Sequence, residues 1–187
     1  VEKGAAALLC EHEVENVPEG VTVIVTENNR KALAVVSANF YGHPSREMHA
    51  IGVTGTNGKT STTYLMKSIL DRVGGKVGIV GTIENRIGDK VLKAERTTPE
   101  SKELQALFRQ MKEEDVTDVV MEVSSHSLDL HRVDGIAFDV AIFTNLTQDH
   151  LDYHITMENY KAAKGMLFER AAKSVINMDD AAGAYMK

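Results

Sequence analysis

The sequence holds a single cysteine, Cys10, so no intramolecular disulfide can form, which fits a reducing cytoplasm. Positive charge is also scarce. Against 21 Lys and Arg stand 27 Asp and Glu, and the net charge of −6 argues against a nucleic-acid binder that relies on bulk electrostatics. A local phosphate pocket remains compatible with that balance. No apolar run approaches the roughly 20 residues of a membrane-spanning helix, and no secretory pattern opens the chain. Internal repeats and low-complexity segments are missing too. The first residue is Val1 rather than methionine, so the expectation is a piece of a longer protein. What is present is ordinary for a globular chain: 187 residues, 43% hydrophobic and 26% charged, enough for one good core with part of a second domain.

The most informative stretch surrounds residues 49–73. The apolar run Ala50, Ile51 and Val53 reads as a buried strand that breaks into a loop with Gly55 and Gly58. A helical pattern follows, carrying Leu65, Met66, Ile69, Leu70 and Val73, and Gly74-Gly75 stops it. Strand, glycine loop, Lys59-Thr60 and helix form a phosphate cradle. Backbone N–H groups close around phosphates, the helix N-terminus adds a positive dipole end, Lys59 reaches the terminal phosphates and Thr60 can ligate magnesium. The strict pattern needs glycine at position 53, which is Val53, so Thr54-Gly55-Thr56-Asn57-Gly58-Lys59-Thr60 is a variant spelling.

Before this stretch, residues 1–41 read as a small αβα piece: a short helix over 2–10, a strand over 21–25, and a helix capped by Asn28 and running through Phe40. Gly42, Pro44 and Ser45 mark a boundary. After it, strands and helices alternate, which predicts an α/β fold with a mostly parallel sheet. Strands are expected over 76–80, 118–123, 138–143 and 174–177. Residues 85–93 form a hairpin or loop, and helices are expected over 97–114, with Leu104, Leu107, Phe108 and Met111 on one face, and over 157–172.

Ligands of parallel sheets gather at the carboxyl ends of strands, so the residues at those ends are the informative ones. Glu122 is embedded among Val119, Val120, Met121 and Val123 and needs a cationic partner, either magnesium or a lysine or arginine. The strand at 138–143 runs into a loop rich in ligating groups, with His150 among Asn145, Asp149 and Asp152. His126, His131 and His154 fit loop packing as well as function. Lys164 lies on the helical stripe of Met157, Tyr160, Leu167 and Phe168. It either snorkels to water or is desolvated enough to be a neutral, modifiable amine.

The stretches GVTGTNGKT, TTPES, MEVSSHSL, HRV, FTNLTQDHLDYH, YKAAKGMLF and INMDD, in this order and spacing, resemble the Mur ligases. These are the ATP-dependent amide-forming enzymes of peptidoglycan precursor synthesis, and the pattern is most similar to the member that adds the third peptide residue. The resemblance covers nearly the whole chain. It implies a P-loop-type ATP-binding central domain whose front part is residues 48–187, preceded by residues 1–47 as the end of a smaller α/β domain for the UDP-substrate. The family's third domain would follow.

By the same resemblance, Gly55, Thr56, Asn57, Gly58, Lys59, Thr60 and Ser61 would bind ATP, with Lys59, His150 and Lys164 the catalytic set. Thr60 and Glu122 would hold one Mg2+. His150 and Lys164, the latter carbamylated by carbon dioxide, would hold a second. Thr97, Thr98, Ser124 and Arg132 would contact the UDP-N-acetylmuramoyl-dipeptide, with Asn57 near it, although Leu130 stands where some relatives carry glutamine. Asn177, Asp179 and Asp180 match a family segment without an assigned role. The implied reaction joins a free amino acid, L-lysine or meso-diaminopimelate, to the D-glutamate carboxylate through an acyl phosphate, in the cytoplasm. Nucleic acid and a membrane span have no part in it, and oligomeric state is left open. Without its flanking domains this chain alone is expected not to ligate. Two other readings stand beside this one: a ligase like folylpolyglutamate synthetase, which shares the phosphate loop, and a nucleotide-binding module without catalysis.

Overall fold

The computed structural model describes residues 4–187. Its centre is a seven-stranded sheet in the order β6-β5-β4-β7-β3-β8-β9. β3 (His49–Thr54) lies between β7 (Asp118–Glu122) and β8 (Phe138–Phe143), parallel to both. β4 (Val77–Val80) and β9 (Ala171–Ile176) continue the parallel set outwards. β5 (Glu84–Ile87) and β6 (Lys90–Lys93) add an antiparallel hairpin at one edge, which settles residues 85–93 as a hairpin.

The inner strands read as unbroken apolar runs because both faces are covered. On one face, α3 (Ser101–Glu113) places Leu104, Leu107, Phe108 and Met111 against Val119, Met121 and Ala141. On the other, α2 (Lys59–Arg72) packs Met66 and Leu70 on Ile51, Val53 and Val120. The remaining apolar residues of the α2 pattern, Leu65, Ile69 and Val73, point outwards and are exposed.

α1 (Asn29–Tyr41) begins as its sequence predicts, with the Asn28 side chain accepting from the Lys31 N–H at 2.9 Å. Replacing Asn28 with alanine frees that amide and is expected to cost about 1 kcal/mol, read as a shift of the urea midpoint at constant slope. α1 packs on α3, so the first segment is seated on the sheet domain rather than strung from it.

Three expectations fail. The helix over 97–114 begins only at Ser101, because Pro99 holds the residue before it extended and Glu100 is itself extended as the N-cap. The helix over 2–10 is instead β1 (Ala7–Cys10), paired in parallel with β2 (Thr22–Val25), residues 1–3 lying outside the described part. An Ala-Leu run favours helix weakly, and pairing with the β-branched run Thr22-Val23-Ile24-Val25 overrides it. The helix over 157–172 is cut to α6 (Met157–Gly165). A 3-10 turn over Phe168–Arg170 follows, and β9 starts at Ala171, earlier than expected. Burying Leu167 under the sheet beside Gly52 redirects the chain there. Two short helices, α4 (Ser125–Asp129) and α5 (Leu151–His154), were not anticipated.

Candidate active site

The register sets Val53 opposite Glu122 and Thr54 opposite Phe143, so the carboxyl ends of β7, β3 and β8 finish side by side. The loops that leave them meet. The glycine loop after β3 is buttressed by the loop after β8: Thr56 N–H donates to Asn145 O at 2.8 Å, Asn57 N–H to Asn145 Oδ1 at 3.0 Å, and Thr144 Oγ1 to Asn57 O at 2.7 Å. Gly55 has φ +145°, and a β-carbon there would lie 1.9 Å from Thr144 Oγ1, so the sequence has no other choice at this position. Gly58 caps α2 without a side-chain bond, which leaves the first-turn amides open to an anion. Ser61 is exposed in that first turn.

Lys59 folds back on its own loop, donating from Nζ to Gly55 O at 2.8 Å and to Thr56 O at 2.9 Å. Burial lowers its pKa, and the charges of Glu122 and Asp149 partly offset this. Both loop carbonyls can release the ammonium when phosphate oxygens arrive.

Glu122 is 2% exposed and has no lysine or arginine partner among the described residues. Its partners are neutral. Thr60 Oγ1 lies 3.0 Å from both carboxylate oxygens, Thr82 N–H donates to Oε1 at 2.9 Å, and Thr82 Oγ1 donates to Oε2 at 3.1 Å. A β-carbon on Gly81 would come within 2.5 Å of Oε1, so this strand end is cut to fit the carboxylate. A buried anion surrounded by hydroxyl oxygens next to a phosphate cradle suits Mg2+, which takes few protein carboxylates and keeps positions for phosphate and water. Of the two partners weighed for Glu122, the ion pair is absent here.

Sequence reasoning missed Thr82. Its signal was available, because Gly81-Thr82 directly follows β4, and strand ends are where ligands gather.

Lys164 does not snorkel. It is 1% exposed, its Nζ donates to Gly55 O at 2.9 Å, and it lies 4.4 Å from the centre of the Tyr160 ring. Burial, and then the neighbouring Lys59 charge, lower its pKa to about 7. Two lysines from distant parts of the chain thus share one carbonyl oxygen. The Tyr160 hydroxyl in turn lies 3.2 Å from Thr56 Oγ1, which ties α6 to the glycine loop.

His150 is exposed, in the left-handed region at φ +52°, and starts α5. Its ring meets Tyr160 edge-on at 6.0 Å, so His150 and Lys164 flank the same tyrosine. The four residues singled out for the larger substrate also converge. Thr97 Oγ1 lies 3.0 Å from Thr82 Oγ1, and Thr98 Oγ1 donates to Glu122 O at 2.8 Å. Arg132 Nη1 donates to Thr98 O at 3.3 Å, and Ser124 Oγ caps α4 by accepting from Ser127 N–H at 3.1 Å, leaving its proton free. Arg132 also pairs with Glu100 at 2.9 Å, while its buried Nε has no partner among the described residues. Thr98 is 1% exposed with its hydroxyl committed, so it positions Glu122 and Ser124 more readily than it meets a ligand.

The segment left without a role acquires one. Asn177 Nδ2 donates to Thr144 O at 2.8 Å, and Asp180 Oδ2 accepts from Leu146 N–H at 2.9 Å, so both brace the loop after β8. Asp179 is exposed, and its N–H donates to Asn177 Oδ1 at 3.1 Å. His131 pairs with Asp134, which also holds Arg170.

A family model described as the Mur ligase middle domain matches residues 53–187. The chain belongs to the Mur ligase family. Among curated Mur ligases it is 55% identical over 183 residues to the UDP-N-acetylmuramoyl-L-alanyl-D-glutamate--2,6-diaminopimelate ligase 1 of Clostridium acetobutylicum, covering 98% of this chain and 38% of that protein. To the corresponding ligase of Bacillus licheniformis it is 48% identical over 193 residues, covering 98% and 39%. The chain therefore spans about 38% of the length of such relatives. A solved UDP-N-acetylmuramoyl-L-alanyl-D-glutamate--2,6-diaminopimelate ligase superposes with a TM-score of 0.84 at 29% identity, over 99% of this chain and 37% of that one. An E. coli FolC complex with DHPP and ADP shares the fold at a TM-score of 0.55 and 22% identity, over 82% of this chain and 42% of that one. No helix of the described residues is long and apolar enough to cross a membrane.

Proposed function

We propose that this chain is the nucleotide-binding part of a longer ligase that joins 2,6-diaminopimelate to UDP-N-acetylmuramoyl-L-alanyl-D-glutamate at the expense of ATP, in the cytoplasm. Residues 1–47 would close the UDP-substrate domain, and residues 48–187 would open the ATP-binding domain. The observation that carries the reading is the buried Lys164 amine on Gly55 O beside Lys59, because phosphate binding alone has no use for a second, desolvated lysine. The name of the amino acid rests on the relatives, which are named for 2,6-diaminopimelate. Likeness to FolC supports the fold alone.

In this reading the open amides of α2 and Lys59 hold the ATP phosphates, while Thr60, Glu122 and Thr82 would hold Mg2+ against them. His150 and Lys164 would hold a second Mg2+. For that, carbon dioxide adds to the neutral Lys164 Nζ: an N–C bond forms, one proton leaves, and the amine becomes a carbamate anion. Bound metal supplies charge neutralisation along the line of phosphoryl transfer. The D-glutamate carboxylate attacks the γ-phosphorus and ADP leaves. The amine of the incoming amino acid then adds to the acyl phosphate, and phosphate departs from the tetrahedral intermediate. Throughout, the chain's part is to hold the reacting groups in line.

The test is phosphate release by the full-length protein from Mg-ATP, with UDP-N-acetylmuramoyl-L-alanyl-D-glutamate and a panel of amino acids, and with product masses determined. An amide with 2,6-diaminopimelate is the expected product. Amide formation on a folate instead, or ATP binding without any amide, would overturn the assignment.

A further inference from the structure

The two halves of the site come from different parts of the chain, and one buried side chain joins them. Glu122 leads through Ser124 into α4, whereas His150 and Lys164 sit on α5 and α6. α5 has only four residues, too few to hold its own position. It is clamped to α4 at both ends of that helix: Tyr153 OH donates to Asp129 Oδ2 at the surface, and His154 Nε2 lies 2.9 Å from Ser125 Oγ in the interior.

His154 is 5% exposed. Its N–H bonds back to His150 O at 2.9 Å, so the two histidines begin and end one rigid turn. Its ring lies 5.4 Å from that of His126, which meets His150 edge-on at 4.8 Å. On the other side it lies 5.2 Å from the Tyr160 ring, over which Lys164 Nζ is held. His154 thus touches the supports of both His150 and Lys164 while lying behind them.

We propose that His154, anchored on Ser125, is the positioning residue that fixes His150 and Lys164 relative to each other and so sets the affinity of the second cation site. This deepens the reading given under Proposed function and rests on it. Removing a group that orients ligands from behind typically costs 10–100-fold in metal affinity. The anchor is a single hydrogen bond, so its two partners should behave as one unit.

The experiment is Mn2+ binding to the full-length protein with a non-hydrolysable ATP analogue and bicarbonate, followed by electron paramagnetic resonance. Carbamate at Lys164 is followed in parallel by 13C NMR. Wild type is expected to bind two ions, and His150→Ala identifies the site that belongs to His150. His154→Phe, which keeps the ring and loses the nitrogen, should weaken that site by about 10-fold or more. The other site should stay within about twofold, and the carbamate signal should fall. Ser125→Ala should reproduce the effect, the double variant should be no worse than His154→Phe, and His154→Gln should recover most of it. Equal weakening of both sites with a lowered melting temperature would mean a purely structural role and overturn the proposal. So would unchanged binding, or losses that add in the double variant. If wild type bound a single ion, the underlying reading would fail and take this inference with it.

Discussion

Alanine at position 164 is expected to reduce ligation by the full-length protein by about 10²- to 10³-fold, the loss typical when one charge-stabilising group is removed from a dry site. The fold should survive, because the lost hydrogen bond leaves Gly55 O still accepting from Lys59 at 2.8 Å. A volume the size of the lysine side chain opens beneath Tyr160, and Lys59 remains beside it as a cation. Formate, acetate or propionate should therefore restore part of the rate by placing a carboxylate where the carbamate would lie. Lys164→Arg should not be rescued, since its charge has the wrong sign and fills the space. Wild-type turnover in the alanine variant, without added acid, would remove the carbamate from the mechanism.

The same site predicts a pH dependence. With its pKa lowered to about 7, the Lys164 amine is mostly neutral above that value and mostly charged below it. Only the neutral amine adds carbon dioxide. Carbamate, read as a 13C signal after equilibration with labelled bicarbonate, should rise as pH rises through about 7. An exposed lysine would need a pH near its ordinary value of about 10. The stability sign follows from the same shift: between about 7 and the ordinary lysine value of 10.5, the unfolded chain binds the extra proton, so stability of the unmodified, metal-free protein increases with pH across that window.

Much of this arrangement was legible in the sequence where pattern and chemistry coincide. β3, its glycine loop and α2 were readable because an apolar run, two glycines and Lys-Thr occur in the order strand, loop, helix. Glu122 was readable because a carboxylate amid valines is costly without a partner. Lys164 was half-readable. The stripe put the lysine on the apolar face, a pattern that by itself favours snorkelling, and only the contact with Gly55 O, 109 positions away in sequence, shows that the amine stays inside. α4 and α5 were not readable, since five and four residues cannot display a helical period. β1 was misread because its identity depends on pairing with β2 and not on its own composition. Thr82 escaped because a hydroxyl beside a glycine is common, and its meaning lies in the distance to Glu122.

Replacing Glu122 with glutamine should move activity and stability in opposite directions. The substitution keeps the shape, and every hydrogen bond can be remade. The amide oxygen accepts from Thr82 N–H, while the amide nitrogen donates to the hydroxyl oxygens of Thr60 and Thr82, both now about 3 Å from the carboxylate. What disappears is a buried carboxylate that has no salt-bridge partner among the described residues, Lys59 acting on it only at longer range. In the absence of metal the variant should therefore melt at the same temperature as wild type or higher. Activity should fall by about 10³-fold, equivalent to about 4 kcal/mol at the barrier, because the groups that remain around Thr60 no longer attract Mg2+. Lys59 responds as well. The Glu122 charge partly offsets the lowering of its pKa by burial, and without that charge the amine should lose its proton more easily and bind phosphate less tightly at high pH. Calorimetry without metal and phosphate release with it are the two measurements. A variant that melts well below wild type would mean the carboxylate is structural. One that keeps full activity would place the first cation elsewhere.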